Sequence, residues 1–252
     1  MTSKTQYGRR SSTEKCLGAA MNELAWLALW AALFVAQHLG VPSSGLRPRL
    51  VGAVGERGYL GLYSVVSIVV LVLLIRAYVA ATPTGVVWPT YELLRWVPLV
   101  LMPVALWLVI GGLLAANPTM VGVVLDDSQE VPVHGVLRIT RHPVQCGILL
   151  WSVSHLAANG DLPSLLFFGS LALVSGWGMV LIDRRRKDAL GESWAAFQSA
   201  TSLLPFVAIL SGHQSFNARE IGWLAPALAA VAFVALWWGH VWIAGTPVGV
   251  GW

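Results

Sequence analysis

The chain predicts an all-α fold, a polytopic membrane bundle of about six transmembrane helices. Three observations carry that prediction. Charged residues make up only 11% of the 252, where about 25% is usual in soluble domains. Mean hydropathy is +0.69. Six apolar stretches reach or approach the length needed to cross a hydrocarbon core, and without water each must satisfy its own backbone as a helix.

In chain order the stretches are Leu24–His38, Tyr59–Ala80, Trp96–Ala116, Gln145–Asn159, Leu162–Asp183 and Ile221–Ile243. The first and fourth are short and are expected to run into polar flanks. Residues 1–16 read as a disordered tail, 17–211 as the transmembrane core and 212–252 as an additional C-terminal transmembrane helix. Pro98 and Pro103 predict a kinked third helix. The loop 117–142 sets Asp126, Asp127 and Glu130 opposite Arg138 and Arg141. Asp183–Ser202 is hydrophilic with Trp194 and Phe197 to one side, as for a helix lying on the membrane surface. Leu203–Leu210 is too short to span. No internal repeat is present.

The partners implied are a lipid bilayer and a hydrophobic small molecule. The +4 charge is not a nucleic-acid signal, because no basic stripe interleaves with exposed aromatics. It speaks to orientation instead. With both termini outside, the inner loops carry Arg47, Arg49, Arg57, Arg138, Arg141, Arg184, Arg185, Arg186, Lys187 and Arg219. The outer side keeps Lys4, Arg9, Arg10, Lys15, Arg76 and Arg95, so ten face six. A multi-pass protein of a bacterial inner membrane is expected. Cys16 and Cys146 form no disulfide framework.

The most informative stretch is QCGILLWSVSHLAAN, residues 145–159. At 100° per residue, Gln145, Ile148, Ser152, His155 and Asn159 share one face, whereas Cys146, Leu149, Leu150, Val153 and Ala157 share the other. The first face is expected to look into the bundle and the second toward lipid. An ionisable group at membrane depth raises a functional-site hypothesis, and interhelical hydrogen bonding is the competing account.

His38 closes the first span, beyond Phe34, Ala31, Trp30, Leu27 and Glu23, a face suited to a flat conjugated ligand or to packing. Tyr59, Tyr63 and Ser67 form a second inward stripe. His142, in Arg141-His142-Pro143, precedes the stripe helix, with Pro143 a normal start signal. The Arg–His pair is open to an anionic cofactor group or to lipid headgroups. His134 and His213 read as solvated, and His240 as interfacial. There is no phosphate loop, zinc spacing or nucleophile elbow. Imidazoles on separate helices among aromatics suit haem iron better than a triad.

On these residues the chain resembles the NnrU family, which includes the zeta-carotene isomerases of plants and cyanobacteria. The matching text is His38, Gly55–Tyr59 (GERGY), Leu62-Tyr63-Ser64, Arg138–Pro143 (RITRHP) and Gly147. It continues with Trp151, His155, Leu156–Asp161 (LAANGD), Asp183-Arg184-Arg185, Gly191-Glu192, Phe197, Thr201-Ser202 and Pro205-Phe206. The likeness runs from about Trp26 to Leu210 and leaves the last helix outside it. It implies haem b held by His38 and His155, with Arg141 and His142 at the mouth and Gln145, Ser152 and Asn159 along the cavity. It further implies a haem-dependent cis–trans isomerisation of a lipid-soluble polyene, following a ligand switch. A cysteine takes part in that switch where this chain has Ser152, and a serine hydroxyl is a poor ligand for ferrous iron. The family name also implies a non-enzymatic haem accessory of nitrogen-oxide respiration (denitrification). Separately, Arg141-His142-Pro143 with Gly191-Glu192 is similar to isoprenylcysteine carboxyl methyltransferases, which would imply S-adenosylmethionine.

Overall fold

The apolar runs form helices in the order expected. A computed structural model describes residues 3–120, 122–123, 131–245 and 248. Its helices are α1 (Ser3–Val35), α2 (Leu46–Ala80), α3 (Trp96–Leu114), α4 (Pro143–Ala158), α5 (Leu162–Ala200), the single turns α6 (Val207–Leu210) and α7 (Ala218–Ile221), and α8 (Leu224–Ala244). Five stretches are long and apolar enough to cross a membrane: Gly18–Ser43, Leu46–Ala80, Glu92–Leu114, Leu162–Ala200 and Leu224–Ala244. Pro143–Ala158 is the shorter sixth.

Helix α1 begins at Ser3, within the stretch expected to be a loose tail, and its backbone is helical from there. The α-helix itself stops at Val35, and helical winding of other pitch carries on past the expected boundary at His38. The chain winds through a wide turn, Ala36–Gly40, and a tight one, Val41–Ser43, before α2. Helix α2 carries a break at Gly55 (φ 76°), a conformation a side chain would strain. Pro98 stands in the first turn of α3, where a missing N–H is harmless, and only Pro103 interrupts its interior.

The bundle is held by two apolar layers. One joins α1, α2 and α5 through Leu27, Ala31, Phe34, Leu74, Phe167, Phe168 and Leu171. The other joins α3, α4 and α5 through Leu108, Val136, Ile139, Cys146 and Met179. Helix α4 is thus inserted between α3 and α5. This corrects the expectation that its Cys146–Leu150 side faces lipid. Cys146 is 2% exposed, its thiol 3.6 Å from Met179 Sδ and 3.3 Å from the Leu203 carbonyl. Protein interiors and lipid tails are equally apolar, so hydropathy alone could not separate the two environments.

A second correction concerns Asp183–Ser202. It continues α5, broken only at Gly191 (φ 51°). Trp194 and Phe197 are 0% and 2% exposed and pack with Leu190 against Val131 and Val133. Loop chain, not headgroups, covers that apolar face. Asp126, Asp127 and Glu130 lie outside the described residues. Arg138 instead meets Glu220 (Nε–Oε2 2.7 Å, Nη2–Oε1 2.9 Å), and Gly135 N–H donates to the same carboxylate at 3.1 Å.

The two ends of the bundle differ. At one end, the Thr82 N–H and hydroxyl donate to Glu23 (3.1 and 3.0 Å), and Leu162 N–H donates to the Thr84 carbonyl at 3.0 Å. Trp88 is laid over the α4 C-terminus, its indole N–H donating to Leu156 O at 3.2 Å and Val87 N–H to Gly160 O at 2.7 Å. The other end gathers Arg47, Arg138, Arg141 and Asp183.

Candidate functional site: two imidazoles on one aromatic layer

His38 lies in the wide turn after α1, its Nδ1 2.9 Å from the Phe34 carbonyl. A carbonyl only accepts, so the neutral ring carries its proton on Nδ1 and leaves Nε2 with a free lone pair. Phe34 packs against the ring (centroids 4.2 Å) and Tyr63 meets it edge-on at 6.0 Å. The neighbouring Gln37 donates to Ser67 Oγ at 2.6 Å, so the Tyr59–Tyr63–Ser67 stripe does face α1. Gln37 Oε1 is buried without a partner.

His155 repeats the pattern on α4. Its Nδ1 is 2.8 Å from the Trp151 carbonyl, with Ser154 Oγ 3.3 Å away, and again Nε2 is left over. Phe168 stacks on the ring (4.9 Å, 27°) and Trp151 lies at 5.4 Å. Phe34 and Phe168 belong to one apolar layer, with Trp151 packed against it. Each imidazole therefore sits on the rim of the same aromatic layer. His38 follows Glu23 by fifteen residues and His155 precedes Ala158 by three. Helical rise puts the two Cα atoms roughly 18 Å apart in depth. Helical side chains lean toward their own N-termini. Helices α1 and α4 run in opposite directions, so the rings lean toward each other across the layer.

The other stripe residues are placed differently. Ser152 is fully buried, and its hydroxyl donates to the Ile148 carbonyl of its own helix at 2.9 Å. Asn159 donates to the His155 carbonyl at 2.8 Å and closes the helix end. Only Gln145 keeps an unpartnered buried oxygen, Oε1. His240 of α8 is within electrostatic reach of His155.

Arg141 and His142 are both engaged with Asp183. Arg141 grips Asp183 through Nε (2.8 Å) and Nη2 (2.7 Å), and His142 Nε2 is 2.8 Å from the other carboxylate oxygen. His142 is 0% exposed. Burial pushes its pKa below the ordinary histidine value, although Asp183 opposes this. The pair thus ties the start of α4 to the middle of α5. Its Nδ1 is buried without a partner.

Comparison with known proteins bears on what this layer is for. A family model described as NnrU protein matches residues 26–248. The chain belongs to the NnrU family. The match runs through α8, beyond the limit near Leu210 that the motifs suggest. This NnrU protein is also similar to two chloroplastic 15-cis-zeta-carotene isomerases. The maize (Zea mays) protein is 35% identical over 82 residues and the Arabidopsis thaliana protein 34% over 82 residues. Each alignment covers 32% of this chain and 22% of the relative. The likeness to the curated relatives thus extends over about a fifth of their length. No solved structure matches.

Sequence reasoning singled out both imidazoles of this NnrU protein but missed Asp183, quoted only as part of a motif. A signal was available, since Asp183 ends a long run without charge that starts at Leu162. Phe168, the stacking partner of His155, was hidden among equally apolar neighbours. Among the described residues no cluster of three His, Cys, Asp or Glu side chains could hold a metal ion. The donors on offer for a metal at the layer are the two imidazoles.

Proposed function

We propose that this protein is a haem b-dependent cis–trans isomerase acting on a lipid-soluble polyene such as a carotene, with His38 and His155 holding the iron. One observation carries the reading. Two imidazoles on opposed helices anchor Nδ1 to backbone carbonyls, leave Nε2 without a described hydrogen bond, and pack against one aromatic layer inside a membrane bundle. Backbone anchoring of the remote ring nitrogen is the usual support for a metal-ligating histidine. The donor set fits a porphyrin iron: two neutral nitrogens, flat aromatic walls, and among the described residues no carboxylate hydrogen-bonded to either ring. The similarity to 15-cis-zeta-carotene isomerases supports the substrate class.

When bound, haem would supply an iron able to interact with a conjugated π-system. The chain's own part is to orient both imidazoles, to exclude water with Phe34, Trp151 and Phe168, and to offer a polyene a flat apolar surface. Ser152 donates its hydroxyl proton to the Ile148 carbonyl, and a neutral hydroxyl is a poor ligand for ferrous iron. The Asp183 contacts of Arg141 and His142 favour this reading over a methyltransferase, for which that pair would face S-adenosylmethionine.

Absorption spectra of the detergent-purified chain, oxidised and reduced, test the proposal. A Soret band that shifts or disappears in His38→Ala and His155→Ala is expected, with formation of all-trans product from a 15-cis carotene under reducing conditions. A colourless protein after expression with ample porphyrin defeats the reading. A Soret band without conversion leaves the haem accessory of nitrogen-oxide respiration. S-adenosylmethionine binding indifferent to His38→Ala would favour methyl transfer.

A further inference from the structure

Tyr78, near the C-terminal end of α2, joins the aromatic layer to a polar helix cap. Its ring lies flat on Phe167 (centroids 4.4 Å, 12°) and meets Phe168 edge-on at 5.6 Å. Its hydroxyl is 3.1 Å from Ser164 Oγ. Asp161 caps α5 by accepting the Ser164 N–H at Oδ1 (2.9 Å), and its other oxygen, Oδ2, accepts the Ser164 hydroxyl at 3.0 Å. That second bond is surplus to the cap. It commits the only hydroxyl proton of the serine, so Tyr78 donates and Ser164 Oγ accepts. Ser164, Phe167 and Phe168 are all buried, and a phenol at that depth costs stability unless its O–H is bonded. The row of rings then continues to the imidazole. Phe168 meets Trp151 edge-on at 5.4 Å and carries the His155 ring on its face. The Trp151 carbonyl holds a single atom of that ring. Its tilt about the bond, and with it the direction of the Nε2 lone pair, is set by what lies on its face.

We propose that Tyr78 is a positioning residue for His155. Tethered through Ser164 to the Asp161 cap, its ring fixes Phe167 and Phe168, and Phe168 fixes the plane of the imidazole. That this plane matters to a reaction rests on the haem reading above, in which outer neighbours orient a metal-ligating ring. The tether itself belongs to the side chains of this protein, with or without a bound group. A tyrosine that only filled space would be replaced by phenylalanine without effect on His155, because the stack on Phe167 is kept.

The test is nuclear magnetic resonance of the full-length protein in detergent, carrying isotope-labelled histidine, before any haem is added. The ring signals of His155 and His38 are assigned by their loss in His155→Ala and His38→Ala. Wild type is expected to show His155 as one Nδ1-protonated tautomer in a single environment. Tyr78→Phe and Ser164→Ala should each shift its ring signals and speed exchange of its Nδ1 proton with water about tenfold, the weight of one neutral hydrogen bond. Tyr78→Phe/Ser164→Ala should go no further than either single, because both remove the same bond. His38, on the far rim of the layer, is the internal control and should not respond. A lowered unfolding temperature with unchanged His155 signals overturns the proposal and leaves Tyr78 a packing residue. Equal changes at His38 and His155 overturn it too, since they report general loosening. Failure of wild type to take up haem in a separate titration defeats the haem reading alone, and the His155 signals still decide the tether.

Discussion

At the scale of single residues, the most consequential contact outside the imidazoles is the three-way grip on Asp183. Its side chain is 9% exposed and that of Arg141 11%, so removing one partner strands a buried charge. Asp183→Asn is expected to cost about 3–5 kcal/mol, read as a lowered unfolding temperature in detergent. Arg141→Met combined with Asp183→Asn should cost less than the two singles added, because the stranded charge is gone. His38 and His155 were legible in the sequence because an imidazole in an apolar run stands out. The fate of Ser152 and Asn159 was not. Helical periodicity reports direction around the axis, but not whether a short side chain will turn back to a carbonyl one turn away.

Among elements, α3 and α4 meet where Gly147 permits close approach. A Cβ there would lie 2.5 Å from the Ala105 carbonyl oxygen and 2.5 Å from Val109 Cγ2, and backbone cannot yield as a flexible side chain can. Gly147→Ala should destabilise by about 1–3 kcal/mol, measurable by thermal unfolding. The segment before α4 is clasped to α7 through Glu220. Arg138 and the Gly135 N–H hold that carboxyl down at about 2. A depressed pKa means the clasp is present above the ordinary carboxylate range and is lost only as pH falls toward about 2. Pepsin should therefore cut the 211–217 segment slowly at pH 4 and faster near pH 2, while Glu220→Gln is cut readily at pH 4. The helices themselves were legible from apolar run length. Which flank of α4 meets lipid was not, nor that loop residues Val131 and Val133 would cover Trp194, since both depend on tertiary partners.

For the whole molecule, five helices are long and apolar enough to cross a membrane and α4 is a shorter sixth; with all six crossing, the start of α1 and the end of α8 fall on one side. The ten-to-six distribution of basic residues predicts that side to be the outer one; after expression in a bacterial host, tags at either end are then expected to be reachable by protease in intact spheroplasts. Protection of both tags would reverse the orientation; protection of one would remove a crossing. Helix α8 belongs to this architecture through its packing on α3, with Ala225 and Ala229 buried. A bulky residue at Ala229 should loosen the helix without disturbing the aromatic layer. The Trp88 loop has one more effect. It lies over the α4 terminus one residue beyond His155 and so narrows the approach from the aqueous face on that side. A guest of that ring that arrives sideways, out of the lipid leaflet, would have its supply set by partitioning into the membrane rather than by solubility in water.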